Sequence, residues 1–525
     1  MRKPWRALAF ALLAASAAIV AIRAFAGPFH IGPIAVNTPL NIEGVFALLW
    51  AAAMLLRHGD GSTQPAGTRV DLWWGAFVLA VVIALFARTL WFPLVSDDYI
   101  LVTQATHPAG SIWRPFVEPG GDGSYRPIGY AILRASGGWA NTEAFRWHFL
   151  SIAIHAINSL LVYAATRYAL KRSAVAALCA LLFALHGTRP EAVVWTAGRF
   201  DVIAGFFALV GLLLFLRYYE TGKTLFGAAS GLAVAAAILC KESAYAFPAL
   251  AVAFVAAGRG QKPWHPKRLL TTLIAPGLLM IYRFILFHGP GGYVDPATGK
   301  AQILSIRFLP SLKALFPRFW AAMIFPVDWA MQPSFYLASA IAILLVCLIA
   351  LCVARSSLDR RTAWILAGCV IAAVLPAVHL LSIGPDLLGS RILYLPAAAF
   401  ALFLAIAINA VRNTTAARAI GAGVVIFYIA TLTHNLGIWG RVADLADRTC
   451  AAAAPQLSGA PSAAILGIPV AIDGVPFFAN GIAECVGLHS TSPPAAWTVT
   501  HVEGPSPQPQ ESRVLVWDQR TNVLK

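Results

Sequence analysis

Two adjacent carboxylates follow a long apolar stretch of this chain. Residues 91–100 read WFPLVSDDYI, so Asp97 and Asp98 stand after some twenty mostly apolar residues. Adjacent carboxylates repel each other, and partial burial raises the pKa of one of them, which suits a general base. We therefore predict that this pair is catalytic. Two aspartates can also hold a divalent metal ion, but the sequence does not demand one, and no cofactor is predicted.

Basic residues offer a partner for an anionic group. An arginine suits a phosphate because its planar fork of donors binds two phosphate oxygens at once. The basic residues considered for such an anion site are Arg391, Lys241, Arg199 and Arg126. A carboxylate base beside a basic anion site, at the edge of a bilayer, indicates transfer from a lipid-linked phosphate donor.

Other polar residues gather at the ends of apolar stretches. Ionisable groups at bilayer depth are costly, so they are functional candidates by default. The further candidates for one shared cavity are His186, Arg189, Glu191, Asp201, Glu242, Asp386 and Tyr394. Each charged residue also has a simpler interpretation, as a helix cap or as one half of a local ion pair. Five clusters of such residues, all predicted on one side of the membrane, favour the shared cavity.

The elements that must position these residues are membrane-spanning helices. The chain is 59% hydrophobic and 12% charged, and its mean hydropathy is +0.71. These values are typical of a polytopic membrane protein, so the net charge of +16 does not indicate a nucleic-acid partner. Thirteen spans are predicted, near 5–25, 41–57, 72–94, 147–166, 173–187, 201–217, 224–240, 243–257, 269–287, 335–354, 362–382, 392–411 and 417–436.

The loop charges predict the orientation. Arginine and lysine recur in the short loops that lie on one side if the N-terminus is cytoplasmic. We expect a bacterial inner (plasma) membrane protein whose C-terminus is periplasmic. The start MRKPWR resembles a signal peptide, but no convincing cleavage site follows, which favours a retained anchor.

The pattern divides the chain into three regions. Residues 1–71 contain two N-terminal spans, residues 72–436 form the membrane domain that carries the candidate residues, and residues 437–525 form a small extracytoplasmic appendage. Within the membrane domain, 95–146 is an outer loop that carries the acidic pair, and 288–334 is an outer interfacial segment. Its part 305–328 is predicted as an amphipathic helix, with a re-entrant hairpin as the alternative. The fold is therefore all-α, with an α/β or β-rich appendage whose strands are expected in AAILGIPVAI and SRVLVWDQ.

Cys450 and Cys485 are the cysteines placed outside the spans. The predicted topology puts both in an oxidising compartment, where a disulfide would stabilise a small domain. The alternative is two unpaired thiols.

A set of motifs resembles the integral-membrane glycosyltransferases of the GT-C class. The set is SDD at 96–98, YRPIGY at 125–130, WHFLSIAIHAINSLLVY at 147–163, HGTRPEAVVWTAGRFDVIAGFFALVGLLLFLR at 186–217, KES at 241–243 and SRILYLP at 390–396. The nearest pattern is the protein O-mannosyltransferase-like branch, which includes the tetratricopeptide-bearing O-mannosyltransferases and their bacterial relatives.

The resemblance implies an inverting transfer of a sugar from a polyprenyl-phosphate carrier to an acceptor hydroxyl at the extracytoplasmic face. It assigns the catalytic carboxylate to Asp97 and Asp98, and a donor-phosphate contact to Arg391. The expected partners are this donor, membrane lipid, and a protein, lipid or glycan acceptor. The chain departs from the family in two ways: it has additional N-terminal spans, and no tetratricopeptide array follows the membrane domain. Without these repeats, the resemblance gives less support to a protein acceptor.

Two other functions stay open at this stage. A secondary transporter also buries charges, although it normally places them near mid-span between repeated halves. A non-catalytic membrane homologue would tolerate loss of the acidic pair. His148 and His155, seven residues apart on one helical face, are interpreted as packing or hydrogen-bonding residues and not as metal ligands.

Overall fold

The computed structural model describes residues 69–118, 124–289, 319–328, 359–376, 383–501 and 512–525, apart from 109, 259, 261–263, 320–321 and 385. It also describes the backbone of a short hairpin that consists of β1 (Phe29–Ile31) and β2 (Ile34–Val36). The predicted spans near 5–25, 41–57 and 335–354 lie outside the described residues, as does most of 288–334. The count of thirteen spans therefore stays a prediction.

Helices dominate the described part of the chain. In chain order they are α1 (Arg69–Phe86), α2 (Asp97–Thr106), α3 (Arg114–Val117), α4 (Pro127–Ala140), α5 (Ala144–Leu170), α6 (Ser173–Ala184), α7 (Arg189–Val193), α8 (Arg199–Thr221), α9 (Thr224–Ile238), α10 (Phe247–Gly258), α11 (Pro266–Leu270), α12 (Ile274–Leu286), α13 (Arg360–Val374), α14 (Pro396–Asn409) and α15 (Thr414–Leu457). Short 3₁₀ turns cover Ala87–Trp91, Thr196–Gly198, Glu242–Ala246, Thr271–Leu273 and Ser390–Leu393.

Five helical stretches in the described residues are long and apolar enough to cross a membrane. They are Arg69–Trp91, Ala144–Leu170, Thr196–Thr221, Pro266–Leu286 and Thr414–Leu457. Shorter apolar helices, among them α6, α9 and α14, pack beside them. The prediction of a multi-pass, mainly helical membrane protein is confirmed in these terms.

The helix ends follow local rules. Asp359 precedes α13, and its side chain accepts a hydrogen bond from the backbone N–H of Thr362 at 3.1 Å. Asn413 caps α15 in the same way, since its side-chain oxygen accepts from Ala416 N–H at 3.0 Å. Such caps satisfy donors that the first turn of a helix leaves unpaired.

Helix α6 lies at the centre of the bundle. Every residue from Val175 to Ala184 is buried, and α1, α5, α14 and α15 all pack against this helix. A helix that is apolar on all sides requires a fully enclosed position.

Hydrogen bonds distinguish the two ends of this bundle. At one end Asp71, in the first turn of α1, accepts hydrogen bonds from Arg167 at the end of α5 and from Ser173 at the start of α6. At the other end, His148 near the start of α5 contacts the carbonyl of Phe92, which follows α1. We call this second end, which carries Asp97 and Asp98, the acidic end.

The last long helix extends far beyond the predicted span 417–436. Helix α15 contains 44 residues, which corresponds to about 66 Å at 1.5 Å per residue. A bilayer core is about 30 Å thick. About half of α15 therefore exceeds what a membrane can cover, and this half leads into the C-terminal domain.

The C-terminal domain has α/β character, as predicted. Strand β3 (Ser462–Leu466) is followed by β4 (Ala471–Ile472), β5 (Val475–Pro476), α16 (Ile482–His489), β6 (Ala496–Val499), β7 (Ser512–Asp518) and β8 (Val523–Leu524). The four-stranded sheet has the order β6-β3-β7-β8, with β3 parallel to both neighbours and β8 antiparallel to β7. A disulfide joins Cys450 on α15 to Cys485 on α16, with a Cα–Cα distance of 5.9 Å.

Candidate functional site

The two aspartates of the acidic pair have different surroundings. Both lie in the first turn of α2, after Ser96 at a φ of 49°. Asp98 is buried, and its carboxylate accepts hydrogen bonds from the backbone N–H groups of Ala197 at 2.9 Å and Val95 at 3.4 Å. Asp98 therefore ties the start of α2 to the turn before α8.

Burial determines the protonation of this carboxyl. Removal from water raises the pKa of Asp98 well above its ordinary value, and the neighbouring Asp97 carboxylate raises it further. The hydrogen bonds from Ala197 and Val95 act in the opposite direction. The buried member of the pair is thus a structural carboxyl with a preference for its neutral form.

Asp97 lies in a different direction. It is partly exposed, and its Oδ1 accepts a hydrogen bond from the Nδ2 of Asn480 at 2.9 Å. Asn480 belongs to the C-terminal domain, so this contact joins residues 383 positions apart in the chain. Of the two carboxylates, only Asp97 is placed to meet a molecule arriving from outside the protein.

Glu191 anchors the segment that carries Arg391. The buried Glu191 carboxylate accepts hydrogen bonds from the backbone N–H groups of Gly389 at 3.1 Å and Arg391 at 2.9 Å, and from the Ser390 hydroxyl at 3.2 Å. The Arg391 guanidinium also pairs with Glu191. It lies over the ring of Trp195 at 4.7 Å, and these contacts fix the direction of the arginine fork.

Arg391 is the most accessible of the four predicted phosphate contacts. Its side chain is 25% exposed, compared with 6% for Arg126 and 4% for Lys241. Arg199 is also buried. A ligand from outside can therefore meet Arg391 with the least rearrangement of the protein.

Arg199 binds the start of α5. Its Nε donates to the Ser151 hydroxyl at 2.9 Å, and the guanidinium also donates to the carbonyl of Trp147, above whose ring it lies at 4.9 Å. Arg199 therefore joins the start of α8 to α5.

Lys241 and Glu242 of the KES motif form ion pairs of opposite polarity. Lys241 lies 3.8 Å from the Asp201 carboxylate, which also accepts a hydrogen bond from the Ser243 hydroxyl at 2.9 Å. Next to them, Glu242 pairs with Arg126 at 3.0 Å and with Arg283 at 3.3 Å. The predicted residues Arg126, Lys241, Asp201 and Glu242 are thus already paired with one another, apart from the additional Arg283.

Arg189 and Tyr394 belong to a buried aromatic network. Arg189 donates to the carbonyls of Phe183 at 3.0 Å and Tyr394 at 3.3 Å and lies over both rings. The Tyr394 hydroxyl contacts His155 Nδ1 at 2.8 Å and accepts from Asn158 at 2.9 Å. His155 is therefore a hydrogen-bonding residue of the core.

His186 and Asp386 form hydrogen bonds within the protein. The ring nitrogens of His186 contact the Thr188 hydroxyl and the Met323 carbonyl, both at 2.8 Å. Asp386 accepts a hydrogen bond from Leu388 N–H at 3.2 Å. Neither arrangement by itself indicates a reacting group.

One stretch connects most of these clusters. Residues 186–201, here called the connecting segment, reach residues 389–391 through Glu191, the acidic pair through Ala197, α5 through Arg199 and Lys241 through Asp201. Its fold needs Gly198, since a Cβ there would lie 2.1 Å from the Glu191 carbonyl oxygen. These contacts bring residues of several of the quoted motifs together at the acidic end of the bundle.

Among the described residues, no group of three or more His, Cys, Asp and Glu residues is arranged to hold a metal ion.

A cavity of about 500 Å³ lies at the opposite end of the bundle, lined by Tyr168, Lys171, Glu220 and His265 among others. It is therefore separate from the candidate site.

Sequence reasoning missed three residues of the site. Arg283 carries a signal that should have identified it, because it is an ionisable residue within the apolar stretch Pro266–Leu286. Trp195 lies within a quoted motif but has no charge to draw attention to it. Asn480 had no local signal, because its contact with Asp97 depends on how the C-terminal domain folds back.

The described residues contain several helices that are long and apolar enough to cross a membrane, and the chain is similar to known protein O-mannosyl-transferases. Protein O-mannosyl-transferase TMTC3 of Mus musculus is 28% identical over 180 residues, which cover 31% of this chain and 19% of TMTC3. Protein O-mannosyl-transferase TMTC4 of Homo sapiens is 26% identical over 450 residues, which cover 70% of this chain and 60% of TMTC4. The resemblance found in the sequence is confirmed, although the chain spans less than two thirds of the length of these relatives.

More distant comparisons add little. The archaeal oligosaccharyltransferase AglB from Archaeoglobus fulgidus, solved with an inhibitory peptide and a dolichol-phosphate, is 12% identical with a TM-score of 0.40, covering 82% of this chain and 65% of AglB. That similarity is too low to establish a shared fold. No family model matches the chain.

Proposed function

We propose that the protein is an inverting glycosyltransferase that moves a sugar from a polyprenyl-phosphate carrier to an acceptor hydroxyl at the extracytoplasmic face. The observation that carries the proposal is the separation of roles within the acidic pair. Asp98 is buried and holds the backbone, while Asp97 is partly exposed. This arrangement presents one carboxylate as a base and uses the other to position it.

The proposed reaction is a single displacement. The acceptor oxygen forms a bond to the anomeric carbon of the sugar and gives its proton to Asp97, while the bond from that carbon to the phosphate oxygen breaks. Polyprenyl phosphate leaves with the bonding electron pair, and Arg391 meets its negative charge. Because attack and departure occur on opposite faces of the sugar, its configuration inverts.

The position of Arg391 supports this role. Its guanidinium is oriented by Glu191 and by the Trp195 ring, and it stays partly exposed. The connecting segment joins it to the acidic pair, because Glu191 contacts residues 389–391 and Ala197 contacts Asp98. A phosphate site and a base held by one segment suit a reaction that needs both at once.

The similarity to the protein O-mannosyl-transferases supports the choice of donor class. We take mannose on a polyprenyl phosphate as the donor to be tested, because those relatives are named for mannosyl transfer. The acceptor in this proposal is a hydroxyl of a protein, lipid or glycan.

The test is donor turnover in membranes that contain the full chain. Release of polyprenyl phosphate from polyprenyl-phosphate mannose is measured for the wild type and for Asp97→Asn. Loss of a general base should lower the rate by about 10²-fold or more. Mannose-carrying donor should also accumulate in lipid extracts of cells that carry the variant.

The matched control is Glu118→Gln. Glu118 is an exposed carboxylate of the same outer region, paired with Arg114, and its loss should leave turnover unchanged. Wild-type turnover by Asp97→Asn in correctly inserted protein would contradict the proposed mechanism.

A further inference from the structure

A loop of the C-terminal domain packs against the candidate site. Residues 473–481, here called the capping loop, run from the turn between β4 and β5 to the start of α16. A Cβ at Gly474 would lie 2.0 Å from the carbonyl oxygen of Asp386, and a Cβ at Gly481 would lie 2.3 Å from that of Ser96. The loop thus touches the segment before Arg391 with one end and the acidic pair with the other.

Both contacts require glycine. Gly474 and Gly481 have φ values of 74° and 84°, which side chains other than glycine rarely adopt. Both also lie against backbone atoms, which cannot move aside as a flexible side chain would. The close approach is consequently built into the sequence of the capping loop.

Aromatic packing holds the middle of the loop. Phe478 stacks on Tyr99 of α2 with a centroid distance of 6.4 Å, and Phe477 packs on Trp517 of β7 at 5.3 Å. Both phenylalanines are fully buried. The loop is therefore supported from the sheet on one side and contacts the helix of the acidic pair on the other.

Asn480 presents a polar group at this contact. Its Nδ2 donates a hydrogen bond of 2.9 Å to Asp97 Oδ1, and the residue itself is exposed. Because an exposed asparagine contributes little to a hydrophobic core, core packing does not account for the position of Asn480 beside the proposed base.

We infer that the C-terminal domain completes the transferase site and that Asn480 is a positioning residue for Asp97. The inference rests on the proposed function of Asp97 as the base. The amide fixes Oδ1, so that the proton of the acceptor hydroxyl passes to Oδ2.

The disulfide supports this arrangement. Cys485 lies in α16, four residues after Gly481, and is bonded to Cys450 on α15. The crosslink therefore fastens the end of the capping loop to the long helix that leaves the membrane domain.

The experiment compares two substitutions in full-length protein, with polyprenyl-phosphate mannose as the probe. Asn480→Ala should lower kcat about tenfold, on the scale of a lost hydrogen bond to a charged group, with little change in the KM for the donor. Asn480→Asp places a second carboxylate beside Asp97, which should raise the pKa of the base and move the acidic limb of the pH–rate profile to higher pH. A purely structural role would not produce that shift.

Asp473→Asn is the matched control, because Asp473 is exposed at the other end of the same loop. Retention of the Cys450–Cys485 disulfide, measured by thiol labelling, shows that the variant domain is folded. Wild-type kcat and an unshifted pH profile in both Asn480 variants would overturn the inference. If both Asn480 variants behave like the wild type but Asp97→Asn is inactive, only the proposed role of Asn480 is wrong. If Asp97→Asn itself retains wild-type turnover, the proposed function is wrong.

Discussion

Asp97 and Asp98 show how neighbouring residues of one type acquire different roles. Asp98 is enclosed and accepts two backbone N–H groups, whereas Asp97 is partly exposed and contacts a side chain of another domain. Charge repulsion alone does not decide which carboxyl of a pair holds a proton. Burial is the largest influence on the pKa of Asp98, and it favours the protonated form of this carboxyl.

Asp98→Asn should stabilise the protein at neutral pH. The pKa of Asp98 is raised in the folded state, so folding binds a proton between the unfolded value, about 3.9, and the higher folded value. Stability is therefore lost as the pH rises through that window, and the full cost applies above it. An asparagine has no such cost, and its carbonyl oxygen can still accept from Ala197 N–H.

Thermal unfolding midpoints of detergent-solubilised protein, measured from about pH 4 to pH 8, provide the test. The difference between Asp98→Asn and the wild type should be largest at high pH and shrink toward low pH. Asp359→Asn serves as a control, because this exposed carboxylate has a lowered pKa from its capping bond and its loss should destabilise at neutral pH. A pH-independent difference for Asp98→Asn would contradict the assignment of a raised pKa.

Arg391→Lys tests the phosphate site. A lysine keeps the charge but loses the planar fork that pairs with Glu191 and stacks on Trp195. We expect the apparent affinity for polyprenyl-phosphate mannose to fall by about tenfold, as a weakened charge-assisted contact implies. Arg412→Lys, at an exposed position before α15, should bind normally. Unchanged affinity in Arg391→Lys would move the phosphate site to another basic residue.

At the scale of elements, the connecting segment organises the acidic end. It contains the short helix α7, a 3₁₀ turn and the first residues of α8. Its backbone and side chains contact residues 389–391, the acidic pair, α5 and Lys241. A short irregular stretch can make these contacts because several of its polar groups point in different directions, which a long regular helix does not allow.

Gly198→Ala should disrupt this segment. The added Cβ would lie 2.1 Å from the Glu191 carbonyl oxygen, a backbone atom. Overpacking of this kind costs about 1–3 kcal/mol, so the free energy of unfolding and the donor turnover should both fall. The matched control is Gly231→Ala in α9, where nothing lies within 4 Å of the added atom. That variant should be neutral or stabilised by about 0.5–1 kcal/mol, and equal behaviour of the two variants would contradict the proposed packing.

At the scale of the whole molecule, the bundle has two chemically different ends joined by apolar helices. The network of Asp71, Arg167 and Ser173 marks one end, and the acidic pair marks the other. Helix α15 extends beyond the membrane thickness and returns the C-terminal domain to the acidic end. The predicted orientation places that end outside the cell membrane.

Cysteine labelling tests the orientation. Lys223→Cys lies at the exposed turn between α8 and α9, and Thr491→Cys lies at an exposed turn of the C-terminal domain. A membrane-impermeant maleimide should label Thr491→Cys in intact spheroplasts and Lys223→Cys only after the membrane is opened. The wild type, whose described free cysteines are buried, gives the background. Labelling of both positions from the same side would overturn the topology and the extracytoplasmic site.

The class of protein and most of the candidate residues could be predicted from the sequence. Apolar runs must become helices in a bilayer, because no water is available there to satisfy the backbone. Charged residues at the ends of such runs are expensive, so their positions are informative without any structure. This is why Asp97, Asp98, Glu191 and Arg391 could be chosen as candidates before any contact was known.

The tertiary structure alone decided which candidates are accessible. Arg199, Lys241 and Arg126 look like Arg391 in the sequence, but they are buried in pairs and hydrogen bonds, whereas Arg391 is 25% exposed. The contact of Asn480 with Asp97 joins residues 383 positions apart. Burial and long-range pairing depend on how distant segments meet in space, and no local pattern of residues encodes that.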